Sequence, residues 1–210
     1  MAVWLEQGDI VLFQGDSITD AGRIRENGND LGKGYALMTA AQFSAKYPEK
    51  QVKFLNRGIS GNRVPDLQGR WQEDCLDLKP NLVSIYIGIN DTWRRYDRNE
   101  GTSTEAFKEG YRQLLDQTAS TGAKLLLIEP FVLPVPEDRK LWREDLDPKI
   151  TAVRELAREF GARLLCLDGL FAQASTQADS AFWAHDGVHP TPAGHALIAN
   201  AWLKAVGAAE

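Results

Sequence analysis

The sequence predicts an α/β fold, built as a three-layer α/β/α sandwich around a five-stranded parallel sheet. Short apolar runs, which are typical of strands buried on both faces, alternate along the chain with segments of helical periodicity. No internal repeat or low-complexity segment interrupts this alternation. Alternating strands and helices form parallel sheets through right-handed crossovers, so we expect the flavodoxin-like strand order 2-1-3-4-5.

The strands are predicted where apolar, β-branched and aromatic residues cluster. These runs lie at residues 10–13, 52–55, 82–87, 125–128 and 164–166. Helices are predicted where apolar residues recur at helical spacing, over residues 35–47, 64–76, 104–120, 145–160 and 192–206. Residues 130–136 contain three prolines and are predicted to form a loop. The sequence leaves open whether the longer segment from Pro130 to Arg143 acts as a lid.

The composition is that of a globular protein. Its 210 residues are enough for one hydrophobic core and few for two, so we predict a single domain over residues 1–210. Acidic and basic residues are interspersed, with a formal net charge of -5, which disfavours nucleic acid as a partner. No run approaches the ~20 apolar residues that a membrane helix needs. The first residues do not resemble a signal peptide, so we expect a cytoplasmic protein without a membrane partner.

Neither the cysteines nor the histidines indicate a metal site. Cys75 and Cys166 are far apart in sequence, and we expect two free, buried thiols. The chain has no C-x-x-C, no H-E-x-x-H and no calcium-loop spacing. We therefore expect neither a metal nor another cofactor.

Three predicted strands end in turns that carry polar residues or glycine. Ser17 follows the first strand, Gly61 the second and Asn90 the third. The carboxyl ends of neighbouring parallel strands meet in one crevice, so these residues should lie together. Ser17 is the one of the three that can attack a carbonyl carbon, although this turn alone is equally compatible with a serine that caps a helix. The backbone N–H groups of Ser17 and Gly61 and the Asn90 amide are candidate donors to an oxyanion.

His189 is the candidate base for Ser17. It is the only histidine of the chain with a carboxylate three residues before it, that of Asp186, which could orient and stabilise the imidazole. His195 lies within the last predicted helix and is expected to be structural, while His185 is assigned no chemical step. We also expect structural roles for Asp16 and Asp91, as acceptors for loop N–H groups.

Four sequence blocks together resemble the GDSL esterases of the SGNH hydrolase superfamily. They are Gly15-Asp16-Ser17-Ile18, Ile59-Ser60-Gly61-Asn62, Gly88-Ile89-Asn90-Asp91 and Asp186-Gly187-Val188-His189-Pro190. The first block has Ile18 where the family name has leucine, an apolar exchange. The resemblance implies a triad of Ser17, Asp186 and His189, with Gly61 and Asn90 completing the oxyanion hole.

The stretch from Gly58 to Asp97 is most similar to the bacterial intracellular carbohydrate acetylesterase and acetylxylan esterase branch. The resemblance implies removal of O-acetyl groups from xylo-oligosaccharides or related sugars, and a homo-oligomer. It also places Trp93 and Arg94 at the substrate, although Trp93 could instead pack beneath a loop. The alternatives are a lipid-directed thioesterase or lysophospholipase of the same family, and a catalytically silent carbohydrate-binding protein.

Overall fold

The computed structural model describes residues 2–209, which form a five-stranded sheet between two layers of helices. The strands are β1 Ile10–Gly15, β2 Lys53–Asn56, β3 Leu82–Tyr86, β4 Lys124–Ile128 and β5 Arg163–Leu165. All neighbouring strands pair in parallel, in the order β2-β1-β3-β4-β5. The predicted fold class and strand order are therefore confirmed.

The helices follow the strands along the chain. They are α1 Ser17–Asp20, α2 Tyr35–Lys46, α3 Val64–Gln68, α4 Trp71–Asp74, α5 Ile89–Asp97, α6 Thr104–Ala119, α7 Arg143–Glu159, α8 Leu167–Ala174, α9 Ser180–Trp183 and α10 Pro192–Ala205. Side chains cap α6 and α10 at their N-termini. Ser103 Oγ accepts a hydrogen bond from the Ala106 N–H, and Thr191 Oγ1 accepts one from the Gly194 N–H.

The sheet separates two hydrophobic cores, because successive strand residues point to opposite faces. On one face, Phe13 packs against Tyr35 of α2 and Trp202 of α10. On the other face, Leu12 shares a core with Trp71 of α4 and Tyr111 of α6. Burial on both faces explains why the strands read as continuous apolar runs.

Three local predictions were wrong. The helix expected over residues 64–76 is divided into α3 and α4, because Arg70 leaves the helical region with a φ of -127°. The helices α8 and α9 were not predicted. Residues 89–97 form the helix α5, whereas only a turn was predicted at Asn90. Its apolar residues Ile89, Trp93 and Tyr96 recur at helical spacing, a signal that was missed because the helix begins with the polar residues Asn90, Asp91 and Thr92, which it buries.

The cysteines fit the prediction only in part. Both are free thiols, but Cys166 is exposed, because β5 ends at Leu165 and the chain turns into α8. Cys75 is buried. Among residues 2–209, no helix is both long enough and apolar enough to cross a membrane.

Candidate active site

Ser17 lies where β1 passes into α1, at the carboxyl edge of the sheet. Asp16 caps α1, with its Oδ1 accepting a hydrogen bond from the Ile18 N–H at 3.0 Å. Gly15 allows the close approach of β3, since a Cβ at this position would lie 2.3 Å from the Tyr86 carbonyl oxygen. The close contact with β3 therefore restricts position 15 to glycine. The turn places Ser17 as the first residue of α1.

The turn after β2 is joined to the turn after β1 by buried hydrogen bonds. Asn56 Nδ2 donates to the Thr19 carbonyl at 2.6 Å, and the Ser60 N–H donates to Asp20 Oδ2 at 3.0 Å. These bonds fix Gly61 relative to α1. The sequence analysis did not predict that Asn56 and Asp20 would join the two turns. A polar residue at the end of an apolar strand was a signal for Asn56.

The candidate oxyanion donors surround this junction. Gly61 has a φ of +84°, a conformation that favours glycine. Asn90 is buried at the start of α5 and its Nδ2 donates to the Asn62 carbonyl at 3.1 Å. Within residues 2–209, the backbone N–H groups of Ser17 and Gly61 donate to no other group. Both remain available to a substrate oxygen.

The structure brings Ser17, His189 and Asp186 into one chain of hydrogen bonds. Ser17 Oγ lies 2.9 Å from His189 Nε2, and His189 Nδ1 lies 2.7 Å from Asp186 Oδ2. The other carboxylate oxygen, Asp186 Oδ1, accepts hydrogen bonds from the backbone N–H groups of Val188 at 3.0 Å and His189 at 2.7 Å. The carboxylate therefore fixes both the turn and the orientation of the ring.

The same contacts shift the pKa values of the pair. Burial would raise the pKa of Asp186, but hydrogen bonds from the His189 ring and from the backbone lower it far below its usual range. The pKa of His189 is raised above its ordinary value of 6.5, chiefly by the hydrogen bond to Asp186 and despite burial. The charge of Asp16 also raises it, whereas that of Arg139 lowers it.

The proline-rich segment between β4 and α7 packs against the turn that carries Asp186 and His189. The Leu133 N–H donates to the Gly187 carbonyl at 2.8 Å. Gly187 has a φ of +79°, and a Cβ there would lie 2.4 Å from both the Leu133 and the Val135 carbonyl oxygens. The proline-rich segment thus supports the turn that carries Asp186 and His189. This contact was not predicted from the sequence.

Arg139, from the same segment, connects this turn to an aromatic cluster. Its guanidinium carbon lies 3.8 Å from the centre of the Trp142 ring and 4.8 Å from that of Trp93. Its Nε donates to the backbone carbonyl of Asp186 at 3.5 Å. Trp93 in turn lies 5.8 Å from the His189 ring, centre to centre. Trp93 is half-buried, and it both borders the histidine and packs beneath the loop.

The remaining candidates fall outside this chain of hydrogen bonds. Arg94 forms an ion pair with Asp97 and lines a cavity beside Gly61. His195 Nδ1 accepts a hydrogen bond from the Tyr35 N–H at 3.1 Å, so it caps α2. Burial lowers the pKa of His195 to about 4, which keeps the ring neutral for this role. His185 is exposed.

Asp16 and Asp91 accept backbone hydrogen bonds, as expected from the sequence. Asp16 accepts from Ile18, and Asp91 accepts from the Val64 N–H at 3.3 Å. Burial raises the pKa of each carboxyl to about 7. Among residues 2–209, no group of three or more His, Cys, Asp or Glu side chains is placed to hold a metal ion.

Comparison with known proteins assigns the family. The model of the GDSL-like lipase/acylhydrolase family matches residues 13–197. The chain belongs to this family. Its members' chemistry is the hydrolysis of carboxylic esters, and the protein is accordingly an enzyme of that class.

Relatives of this GDSL-like acylhydrolase match it over nearly the whole chain. An acetylxylan esterase of Geobacillus stearothermophilus is 36% identical over 208 residues, which are 95% of this chain and 94% of that protein. The crystal structure of Axe2, an acetylxylan esterase from the same organism, matches with a TM-score of 0.91 at 34% identity, over 97% of this chain and 96% of that one. Two crystallised variants of Axe2, with a serine or an aspartate replaced by alanine, are described as catalytic mutants.

A third relative is a GDSL-like lipase from Parabacteroides merdae. Its crystal structure matches with a TM-score of 0.94 at 36% identity, over 99% of this chain and 100% of that one. The sheet and its helices are thus those of the family.

Proposed function

We propose that the protein is a serine esterase that removes O-acetyl groups from carbohydrates such as acetylated xylo-oligosaccharides, with Ser17, His189 and Asp186 as its catalytic triad. The observation that carries this proposal is the continuous hydrogen-bond chain from Ser17 Oγ through the His189 ring to Asp186. The similarity to an acetylxylan esterase over 95% of the chain supports the substrate class.

The reaction starts when His189 Nε2 removes the proton of Ser17 as Ser17 Oγ attacks the acetyl carbonyl carbon. The carbonyl oxygen becomes an oxyanion, which accepts hydrogen bonds from the Ser17 and Gly61 N–H groups and from the Asn90 amide. The tetrahedral intermediate then expels the sugar oxygen, which takes the proton from His189. An acetyl group remains on Ser17.

Deacetylation repeats these steps with water as the nucleophile. His189 removes a proton from the water, which attacks the acetyl carbonyl, and then returns the proton to Ser17 Oγ as acetate leaves. Asp186 keeps the proton of neutral His189 on Nδ1, so that Nε2 is free to act as the base. It also stabilises the imidazolium that forms in each half-reaction, and no cofactor takes part.

The cavity, the location and the assembly complete the proposal. Trp93 and Arg94 border the substrate, the first beside His189 and the second beside Gly61. A single domain over residues 1–210, a cytoplasmic location and a homo-oligomeric state stay predictions. Large apolar side chains exposed at Leu141 and Phe182 are compatible with self-association, which light scattering would measure.

An acetate-release screen tests the proposed function. Acetylated xylo-oligosaccharides, p-nitrophenyl acetate and long-chain p-nitrophenyl esters are offered to the native enzyme and to Ser17→Ala. We expect acetyl esters to be preferred, and Ser17→Ala to lower kcat on the order of 10⁶-fold. Preference for long acyl chains would favour the lipid-directed alternative. Sugar binding without ester turnover would favour a silent binding protein.

A further inference from the structure

A small polar cavity adjoins the candidate oxyanion hole. Its volume is about 270 Å³, and residues from the turn after β2, the start of α3 and the end of α5 line it. Gly61 belongs both to this lining and to the candidate oxyanion donors. A ligand in the cavity would therefore be close to the ester under attack. Because complete ligands occupy pockets of roughly 300 to 1,000 Å³, this cavity is suited to part of a larger substrate.

The lining carries both donors and acceptors of hydrogen bonds. Two of its arginines are already paired, Arg63 with Asp66 and Arg94 with Asp97. Arg98 and Glu100 are exposed, and within residues 2–209 their side chains form no hydrogen bond or ion pair. The cavity thus offers one free guanidinium and one free carboxylate.

The backbone fixes the segment that carries these two residues. The Arg98 and Glu100 N–H groups both donate to the carbonyl of Arg94, at 3.2 and 2.9 Å. Between them, Asn99 adopts a left-handed conformation with a φ of +55°, which reverses the chain at the end of α5. The donor and the acceptor are therefore presented from a defined turn next to Gly61.

The chemistry of the lining distinguishes the two ends of an acetylated sugar. The methyl group of an acetyl ester forms no favourable interaction with charged side chains. A long acyl chain would be bound poorly, because it would remove water from these charged groups without replacing their hydrogen bonds. Sugar hydroxyl groups, in contrast, both donate and accept, and a neighbouring pair of them matches a guanidinium together with a carboxylate. A carboxylate ligand would match Arg98 but would be repelled by Glu100.

We propose that this cavity is a sugar subsite, in which Arg98 and Glu100 bind the hydroxyl groups of a neutral sugar unit of the acetylated substrate. This inference rests on the proposed function and extends it from the ester to the alcohol. The subsite recognises the carbohydrate, while the chemistry takes place at Ser17.

The test compares kcat/KM for acetylated xylotriose with that for p-nitrophenyl acetate, which has no sugar. In Arg98→Gln and in Glu100→Gln we expect the ratio of the two values to fall about tenfold, the effect of one lost hydrogen bond to a charged group. The control is Arg158→Gln, at an exposed position of α7, for which the ratio should stay at the native value. Inhibition of p-nitrophenyl acetate hydrolysis by free xylotriose should weaken in the first two variants alone.

The possible outcomes separate this subsite from the esterase itself. Native ratios and native xylotriose inhibition in both variants would overturn the subsite and leave the esterase intact. If Arg98→Gln lowers kcat/KM only for an oligosaccharide that carries a uronic acid, the cavity is an anion site. This result would also overturn the proposed subsite for neutral sugars. Failure of the proposed function would look different, since the native enzyme would then release no acetate from acetylated xylotriose. Circular dichroism confirms that the variants are folded.

Discussion

The two turns that meet at the active site are fixed in different ways. The turn after β1, which carries Ser17 and is called here the nucleophile turn, is buried. Asp16 and Thr19 are excluded from solvent, and hydrogen bonds join this turn to the turn after β2. The turn that carries Asp186 and His189, called here the base turn, is more open, since the side chains of these two residues are 31% and 39% exposed. It follows no strand of the sheet and is supported mainly by the proline-rich segment. The sheet thus positions Ser17, the proposed nucleophile, and a loop positions His189, the proposed base.

This difference separates stability from activity. A change in the nucleophile turn disturbs the core between β1 and β3, so it should affect folding as well as catalysis. A change to Asp186 or His189 in the base turn should affect catalysis more than folding, because these two side chains are only partly buried, whereas their neighbour Val188 belongs to the core. Four substitutions test this contrast, from the largest expected effect to the smallest.

Asp186→Asn should have the largest effect. The amide cannot hold His189 in the tautomer that leaves Nε2 free, so kcat should fall on the order of 10⁴-fold. Asp186 raises the pKa of His189, and activity requires neutral His189. The acid limb of the rate against pH should therefore move to lower pH in the variant. Rates on p-nitrophenyl acetate measure both effects, and an unchanged limb would show that Asp186 does not act on His189.

Gly15→Ala should destabilise the fold strongly. The added Cβ would meet the Tyr86 backbone oxygen at 2.3 Å and Thr19 Oγ1 at 2.4 Å, and the backbone of β3 cannot move away cheaply. We expect a loss of about 3 kcal/mol in the free energy of unfolding, measured in urea. Gly169→Ala in α8 is the control, since the space there is open and alanine favours helix. Equal stability of the two variants would contradict the close packing at Gly15.

Gly187→Ala should reduce activity as well as stability. The Cβ would displace the base turn from the Leu133 and Val135 carbonyls, and a shift of this kind costs about 10²-fold in kcat/KM. Gly122→Ala is the matched control, because Gly122 has a similar φ of +81° but nothing within 4 Å of an added Cβ. If both variants lose activity equally, backbone strain rather than support of the turn is the cause.

Arg139→Met should have the smallest effect. It removes the hydrogen bond to the Asp186 carbonyl and the stacking on Trp142, and we expect kcat to fall about tenfold. Arg139 lowers the pKa of His189, so its loss should move the acid limb to higher pH, opposite to Asp186→Asn. Lys140→Met is the control, since Lys140 pairs with Glu137 and, within residues 2–209, with no other side chain. A shift of the acid limb to lower pH in Arg139→Met would show that Arg139 does not lower the pKa of His189.

The sequence predicts the sheet and the nucleophile turn well, for a physical reason. Strands buried on both faces require unbroken apolar runs, and parallel connections bring their carboxyl ends together. Ser17, Gly61 and Asn90 could therefore be assigned to one crevice before any coordinates. The close spacing of Asp186 and His189 was also visible, because three residues suffice to close their hydrogen bond.

Contacts between distant segments could not be predicted in this way. Nothing in the sequence pairs Arg139 with Asp186, or Asp20 with Ser60, since neither pair has a local pattern. The helix α5, in contrast, was missed although Ile89, Trp93 and Tyr96 recur at helical spacing, because the polar run from Asn90 to Thr92 is more typical of a loop. The roles of the individual site residues stay predictions for the kinetics to test.

The dependence of the base turn on the proline-rich segment has a practical consequence for thermal inactivation. Heating would separate the outer part of this segment, where Pro134 and residues 136–138 are exposed, from the base turn before it disrupts the sheet, because an exposed loop opens at lower free energy than a buried core. Residual activity would then decay at temperatures where a melting curve still reports a folded protein. Efforts to extend the working life of the enzyme should accordingly reinforce the contact between Arg139 and Asp186 rather than the core.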